Sequence, residues 1–541
     1  MGGAEREKAW GRGSFVHSNR LKALEPSSPE LSMVTLVEIL TQIARLTNFS
    51  PDQVNFVFCM LSCFPLGAGF RVVLHPSRVS PSVRRIVGLL WGIALTWFCF
   101  GRQTLILINI SALCYFLTCV LNPSIVHKYV LTVSMGMLSM AHIHRQITDY
   151  GGYTLDFTGP LMIFVQRISY VAFSVHDGMG RDESELKDEQ RKGRLKKMPT
   201  LLEYFSYLFH YSTVLAGPVC TFKEFNDFID GSDVRPEETG QKEPSPLSAV
   251  LRKVLISLVC LAVILLTGSK FPISRNGDEE FINSHHLLWR FVYSYISILA
   301  IRMRYYFAFK MAEAVNNMGG LGFNGFDENG IAKWDRLTIV NVLRLEFATN
   351  LKEVLDNWNI CTALWLRRIV YDRVPYHRTL AVFALSAFWH GFYPGYYMAF
   401  FTCGLMVEAA RKVRRVCRPL FQRSRATSLF YDVVTCVVTS CCLTFTTVPF
   451  VALELRIGVA YWRSMYCFGH FWCLVPILFM NAGKNKKQQT DGEIRGEGEE
   501  KDAQKEQTKY DDLTKLRQRV NRKLEMLKEN LMWGLRMAGM R

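Results

Sequence analysis

The stretch TLAVFALSAFWHGFYPGYYMAFFTCGLMV, Thr379 to Val407, decides the fold. It holds no Asp, Glu, Lys or Arg and lies between Arg378 and Glu408. About 20 apolar residues span the hydrocarbon core of a bilayer, so this run is long enough to cross one. A second charge-free run, Val433 to Leu453, meets the same condition. Less clean runs fall near 54–74, 86–100, 103–121, 127–143, 159–175, 201–219, 250–268, 287–301 and 457–480. The expectation is about eight to eleven membrane segments, some of them re-entrant or buried in the bundle. Pro160, Pro218 and Pro394 sit inside or beside such runs. Irregular backbone at membrane depth requires protein or a wet cavity to satisfy it.

Averages alone do not set the class. Of 541 residues, 49% are hydrophobic and 21% charged, close to a soluble chain. The distribution is what matters, because charges gather at the ends and in a few loops. The first 30 residues carry charges and no apolar core, so insertion is expected to rely on uncleaved internal segments. The net charge is +17. Nucleic-acid binding is one reading of that charge, but the Lys and Arg residues flank apolar runs. Arg411 to Arg425 carries seven of them and no acid, the pattern of cytosolic loops. No nucleic-acid partner is expected. The fifteen Cys are scattered, and Cys441 and Cys442 are adjacent. Neither arrangement has zinc-ligand spacing, so no metal is expected and the thiols read as small buried hydrophobes.

Three regions follow. Residues 1–30 read as a disordered lead, 31–481 as a multi-span membrane domain, and 482–541 as a polar cytosolic tail too poor in apolar surface to fold alone. Within the tail, Leu513, Leu516, Val520, Leu524, Leu527 and Leu531 form one apolar stripe, which predicts an amphipathic helix near 510–532. Residues 33–46, MVTLVEILTQIARL, have helical spacing suited to an interface. Polar loops are expected at 181–198 and 229–246. The Gly- and Asn-rich stretch 316–336 predicts a turn-rich excursion.

His390 sits inside the longest charge-free run, among Phe388, Trp389, Phe392, Tyr393, Tyr396 and Tyr397. An ionisable group at membrane depth is costly and reads as functional by default. Burial favours the neutral imidazole, which suits a general base acting on a hydroxyl. The alternative is a core His satisfied by a neighbouring Ser or backbone group. The second constellation is LDNWNICTALWLRRIVYDRV, Leu355 to Val374. If it is helical, Trp358, Thr362 and Trp365 share a face. Asn359 offers two donors and one acceptor, enough to hold a hydroxyl or to stabilise a developing oxyanion; alone, it reads more readily as a capping or bridging amide. Arg367, Arg368 and Arg373 suit phosphate chemistry but read first as a cytosolic flank. The chain lacks HExxH, a Walker loop and GxSxG. Cys361 carries no mark of a thiolate nucleophile. The sequence also shows neither intramembrane carboxylates nor a two-fold repeat, which weighs against a transporter.

At this point the chain resembles the membrane-bound O-acyltransferases. The resemblance rests on WNICTALWLRRIVYDR and, with its His 31 residues after Asn359, on SAFWHGFYPGYY. It extends through DFTGPLMIFVQRI, VHDGMGR, MPTLLEYFSYLF, LAGPVCTFKEF, RYYFAFKMAEAVNN and GFDENG to the lysophospholipid branch, over about residues 50 to 480. EVLDNWN stands where the sterol branch carries an FYxDWWN-like motif, which argues against sterol acceptors.

The resemblance implies an all-α polytopic membrane bundle around a central catalytic tunnel, in the endoplasmic reticulum membrane. It implies acyl transfer from acyl-CoA to lysophosphatidylethanolamine, lysophosphatidylserine or lysophosphatidylcholine, the lysolipid arriving laterally from the membrane lipids. His390 would be the base and Asn359 the orienting residue. Trp358, Trp365, Trp389, Tyr306 and Asn316 would line the chamber. Acyl-CoA is a co-substrate, and no cofactor or metal is implied. Head group, acyl chain and oligomeric state are not part of the resemblance. Competing readings are a transporter or proton-relaying channel, a scaffold that recruits partners through its tail, and a family member with another acceptor.

Overall fold

The computed structural model describes residues 36–480 apart from 48, 153, 233–243 and 269. The expected 1–30 lead and the tail helix near 510–532 lie outside the described residues. Among the described residues the elements are helices, with one isolated bridge, Phe326 to Ala332. The all-α expectation holds.

Helix starts follow local chemistry. Pro51, Pro81 and Pro394 each open a helix, where the missing N–H costs nothing. Thr200 with Glu203 and Thr221 with Glu224 form reciprocal capping boxes. The helix expected from 33–46 appears over Leu36–Thr47, and its buried Leu40 and Ala44 cluster with Val54.

Four described stretches are long and apolar enough to cross a membrane: Pro51–Val72, Pro81–Val120, Leu247–Thr267 and Arg425–Ala452. That is fewer than the expected eight to eleven, for visible reasons. The 201–219 run is helical only over Leu201–Phe209 and then turns through a cis Gly217–Pro218 bond. The 457–480 run breaks at Tyr466 and Cys467, both at positive φ. The run that set the fold class is itself cut, into Arg378–His390 and Pro394–Phe421. Thirteen residues rise only about 20 Å, short of a full crossing. The 316–336 stretch departs the other way, because its first four residues complete the Leu287–Gly319 helix before the turns begin.

The Thr158–Met179 helix is central. Every residue from Phe164 to Val175 is buried. Arg167 within it donates to the carbonyls of Tyr207, Leu208, Thr213 and Pro218 and so pins the turn that follows Phe209. By contrast, Leu251, Leu255, Leu258, Val259, Leu265 and Leu266 on Leu247–Thr267 are exposed, as a lipid-facing surface requires.

Two large apolar clusters divide the protein. One gathers the Thr158–Met179 helix with Cys361, Trp365, Leu366 and Trp389. The other gathers Phe383, Met406, Phe445, Val448 and Tyr461, with Leu351 and Leu355 packed in. Two segments cross the seam between them. Residues 351–366 pass from Leu351 to Trp365, and Arg378–His390 passes from Phe383 to Trp389.

Candidate active site

Asn359 and His390 lie on the two segments that cross this seam, each at a helix end. His390 closes the Arg378–His390 helix, and Gly391 follows at φ 115°, ψ −160°, a conformation essentially restricted to glycine. The imidazole stacks on Phe400 with 5.2 Å between ring centroids, and it meets Phe450 edge-on at 5.2 Å and Tyr396 at 5.7 Å. The residue is half-buried. Among the described residues nothing hydrogen-bonds to its ring nitrogens. The alternative of a core His tied to a neighbouring Ser therefore loses its main support.

A second histidine, not singled out from sequence, supports this helix end. His142 on Val126–Thr148 places Nε2 3.1 Å from the carbonyl oxygen of Trp389. A carbonyl only accepts, so this contact puts the proton on Nε2. It satisfies one of the free carbonyls that end every helix.

Asn359 has φ 44° and ψ 55°, immediately before the Ile360–Leu366 helix. Asn is among the few side chains that adopt this left-handed region readily. Its backbone carbonyl accepts from Ala363 at 3.0 Å. Its carboxamide makes no hydrogen bond to another described residue and gives no side-chain cap. Nearby Asn357 is the opposite case. It donates to the Glu353 carbonyl and accepts from Asn341, at 2.8 and 2.9 Å.

One face of the Thr158–Met179 helix holds both segments. Met162 accepts from the indole of Trp389 at 3.0 Å, Gln166 donates to Thr362 at 3.0 Å, and Ser169 accepts from the indole of Trp365 at 2.8 Å. Further along, Tyr170 lies under Arg368, Phe173 under Arg373, and Asp177 takes both ends of the Arg373 guanidinium. These positions recur at three- and four-residue steps, the period of a single helix face. Trp365 and Trp389 then meet at 5.8 Å. Arg368 and Arg373 are thus engaged in packing and ion pairing, while Arg367 is exposed near Asp372.

The other expected residues divide. Trp358 is half-buried beside Tyr305, Tyr306 and Phe309, so it does not share a face with Trp365. Tyr306 is fully buried and donates to Glu346 at 2.6 Å. Asn316 is also fully buried, its amide nitrogen donating to the carbonyls of Ser212 and Ala312 and its oxygen accepting from the Ser212 hydroxyl. These contacts leave Asn316 no face to offer a chamber; it bridges a helix and a turn. Cys361 is buried with Sγ 3.8 Å from the carbonyl of Thr338, so no base adjoins it there. Among the described residues no group of three His, Cys, Asp or Glu side chains is arranged to hold a metal ion.

Residues 93–447 match the MBOAT, membrane-bound O-acyltransferase family, and the match includes both Asn359 and His390. The chain belongs to the membrane-bound O-acyltransferase family. Lysophospholipid acyltransferase 6 of Drosophila melanogaster is 39% identical over 482 residues, covering 86% of this chain and 67% of that protein. The human membrane-bound glycerophospholipid O-acyltransferase 1 is 40% identical, covering 85% of this chain and 95% of its own. The human membrane-bound glycerophospholipid O-acyltransferase 2 is 38% identical, covering 83% and 89%.

Outside the four candidate spans the structure does hold a buried carboxylate. Glu313 is fully buried on Leu287–Gly319. It is held between Lys310 at 2.9 Å and Lys253 at 3.2 Å, a fixed cluster.

Proposed function

We propose that this membrane-bound O-acyltransferase moves an acyl group from acyl-CoA to the free hydroxyl of a lysophospholipid in the endoplasmic reticulum membrane, within a membrane domain spanning 31–481. The candidate acceptors are lysophosphatidylethanolamine, lysophosphatidylserine and lysophosphatidylcholine. The names of the relatives support the acceptor class. The observation that carries the assignment of the centre is the seam, where two segments carry an imidazole and a carboxamide whose side chains make no hydrogen bond to described residues.

In this reading a His390 ring nitrogen accepts the proton of the acceptor hydroxyl. The hydroxyl oxygen attacks the thioester carbonyl carbon, the C–S bond breaks, and the proton passes to the departing coenzyme A thiolate. The Asn359 amide donates to the acyl oxygen as it gains charge. Aromatic walls from Phe400, Phe450 and Tyr396 exclude water, which would otherwise compete with the acceptor. Trp358, next to Asn359, is the candidate for acyl-chain contact. Trp365 and Trp389 fix the two segments, and Tyr306 and Asn316 brace the helices behind them. A tunnel joining the cytosol and the bilayer would bring the two substrates together, and the step calls for no cofactor or metal.

The test is to express the chain in microsomes, supply labelled acyl-CoA with a panel of lysophospholipids, and identify the products by mass. His390→Ala should abolish product at unchanged protein level. Near-normal turnover would remove His390 from the chemistry. Activity confined to a non-phospholipid acceptor would overturn the acceptor class.

A further inference from the structure

The buried cluster Lys253–Glu313–Lys310 reaches Asn359 through an extended segment. Glu313 is the hub. Beyond its two lysine partners, one carboxylate oxygen accepts from the backbone amides of Ile339 at 2.9 Å and Val340 at 3.3 Å. Lys310 also donates to the Val340 carbonyl, and Lys253 to the Trp334 carbonyl at 3.0 Å. One carboxylate against two ammonium groups leaves a net positive charge, and these two carbonyls complete the solvation that a buried cation requires. The cluster therefore clamps residues 334–340 at both ends, through Lys253 of the Leu247–Thr267 helix at Trp334 and through Glu313 and Lys310 of the Leu287–Gly319 helix at Ile339 and Val340.

The clamped segment in turn brackets Asn359. The Ile360 amide donates to the Ile339 carbonyl at 2.8 Å, one residue after Asn359. The Asn341 amide donates to the Asn357 carbonyl at 3.1 Å, two residues before it. The Asn341 carboxamide donates to that of Asn357 at 2.9 Å. Asn359 is thus suspended in its left-handed conformation between two tethers to one segment, and that segment is fixed by Glu313.

We propose that Glu313, with Lys310 and Lys253, and Asn341 are positioning residues for the acyl-transfer step: they hold the 338–341 segment that fixes the backbone, and hence the carboxamide, of Asn359. The proposal rests on the reading of Asn359 as the orienting residue. It goes beyond a stability role because the tethers end on the residues flanking Asn359. A displacement of about 1 Å at a reacting group can cost on the order of a hundredfold in rate.

The experiment compares three variants in detergent-extracted enzyme, measuring kcat and the KM of both substrates per mole of folded protein. Asn341→Ala leaves the ion cluster intact and removes the carboxamide bond of one tether, its backbone bond remaining. The paired variant Glu313→Gln/Lys253→Met keeps the net charge of the cluster and weakens its hold on Ile339 and Val340, so it remains informative if Glu313→Gln alone fails to fold. Asn359→Ala reports on the underlying reading. Asn341→Ala and the paired variant should each lose on the order of tenfold in kcat with both KM values unchanged. Wild-type kcat in both, or a fall only in folded yield or only in substrate affinity, overturns the proposal. If Asn359→Ala is inactive while those two variants are normal, this inference alone falls. If Asn359→Ala turns over normally, the reading of Asn359 falls with it.

Discussion

Gly391→Ala tests whether the helix break after His390 is part of the site. At φ 115° and ψ −160° a side chain costs about 1–3 kcal/mol in backbone strain. The new Cβ would stand 3.0 Å from Cγ of His142, tighter than ordinary contact, and such overpacking costs about 1–3 kcal/mol. Together these make roughly 2–6 kcal/mol, a large part of the stability of a typical domain. The least costly relief is to rotate the 390–391 peptide back toward negative φ, which moves the imidazole off Phe400 and Phe450. The loss should then appear in turnover, on the order of a hundredfold for about 1 Å of movement. The assay is acyl transfer per mole of extracted enzyme, alongside a thermal midpoint. Gly136→Ala is the control, because Gly136 lies inside the His142 helix with nothing within 4 Å of a new Cβ. It should leave turnover unchanged and stabilise by at most about 1 kcal/mol. Wild-type turnover and midpoint in Gly391→Ala would refute the reasoning.

Two further outcomes follow from the same contacts. His142→Phe removes the donor to the Trp389 carbonyl and should lower kcat more than it lowers the thermal midpoint. His142→Gln, which keeps a donor, should recover part of that loss, and equal kcat values in the two variants would count against a hydrogen-bonding role. Arg373→Met strands Asp177, which is 3% exposed; the loss of a buried partner costs about 3–5 kcal/mol. Arg181, 3.6 Å from Asp177, should trim that cost. Arg373→Met/Asp177→Asn should regain most of the lost thermal midpoint, and no recovery would show that Arg373 acts through Phe173 packing instead.

The class of the fold was legible because a bilayer imposes it on composition: Val433 to Leu453 reads as a span, and all of it but Leu453 lies within the Arg425–Ala452 helix. The break at Gly391 was not, because a charge-free run looks the same whether one helix or two pass through it. Only the local Gly391 and Pro394 hinted at the interruption. His390 and Asn359 stood out as polar groups in apolar surroundings, and the family resemblance paired them. Their supports were illegible for a physical reason. His142 lies 248 positions before His390, and Glu313 reaches Asn359 only through the backbone amides of another segment. Such partners leave no periodic trace. The Thr158–Met179 ladder is different, since Met162, Gln166 and Asp177 lie in the motifs DFTGPLMIFVQRI and VHDGMGR, and Ser169 and Phe173 lie between them at helical spacing. What the sequence lacked was the identity of the facing segment.

The distribution of hydrogen bonds around the seam argues for where chemistry occurs. Trp389, Trp365, Thr362, Asn357 and Asn341 each have a bonded side chain. The two residues they flank, Asn359 and His390, have none among the described residues. Both are half-buried, so their polar atoms stay reachable. Both side chains are also held next to backbone conformations that few residues tolerate, φ 44° at Asn359 and φ 115° at Gly391. Such backbone geometry beside reachable, unengaged polar groups fits a site whose missing partner is a substrate. The carboxamide would find it in an acyl oxygen, and the imidazole in a hydroxyl proton.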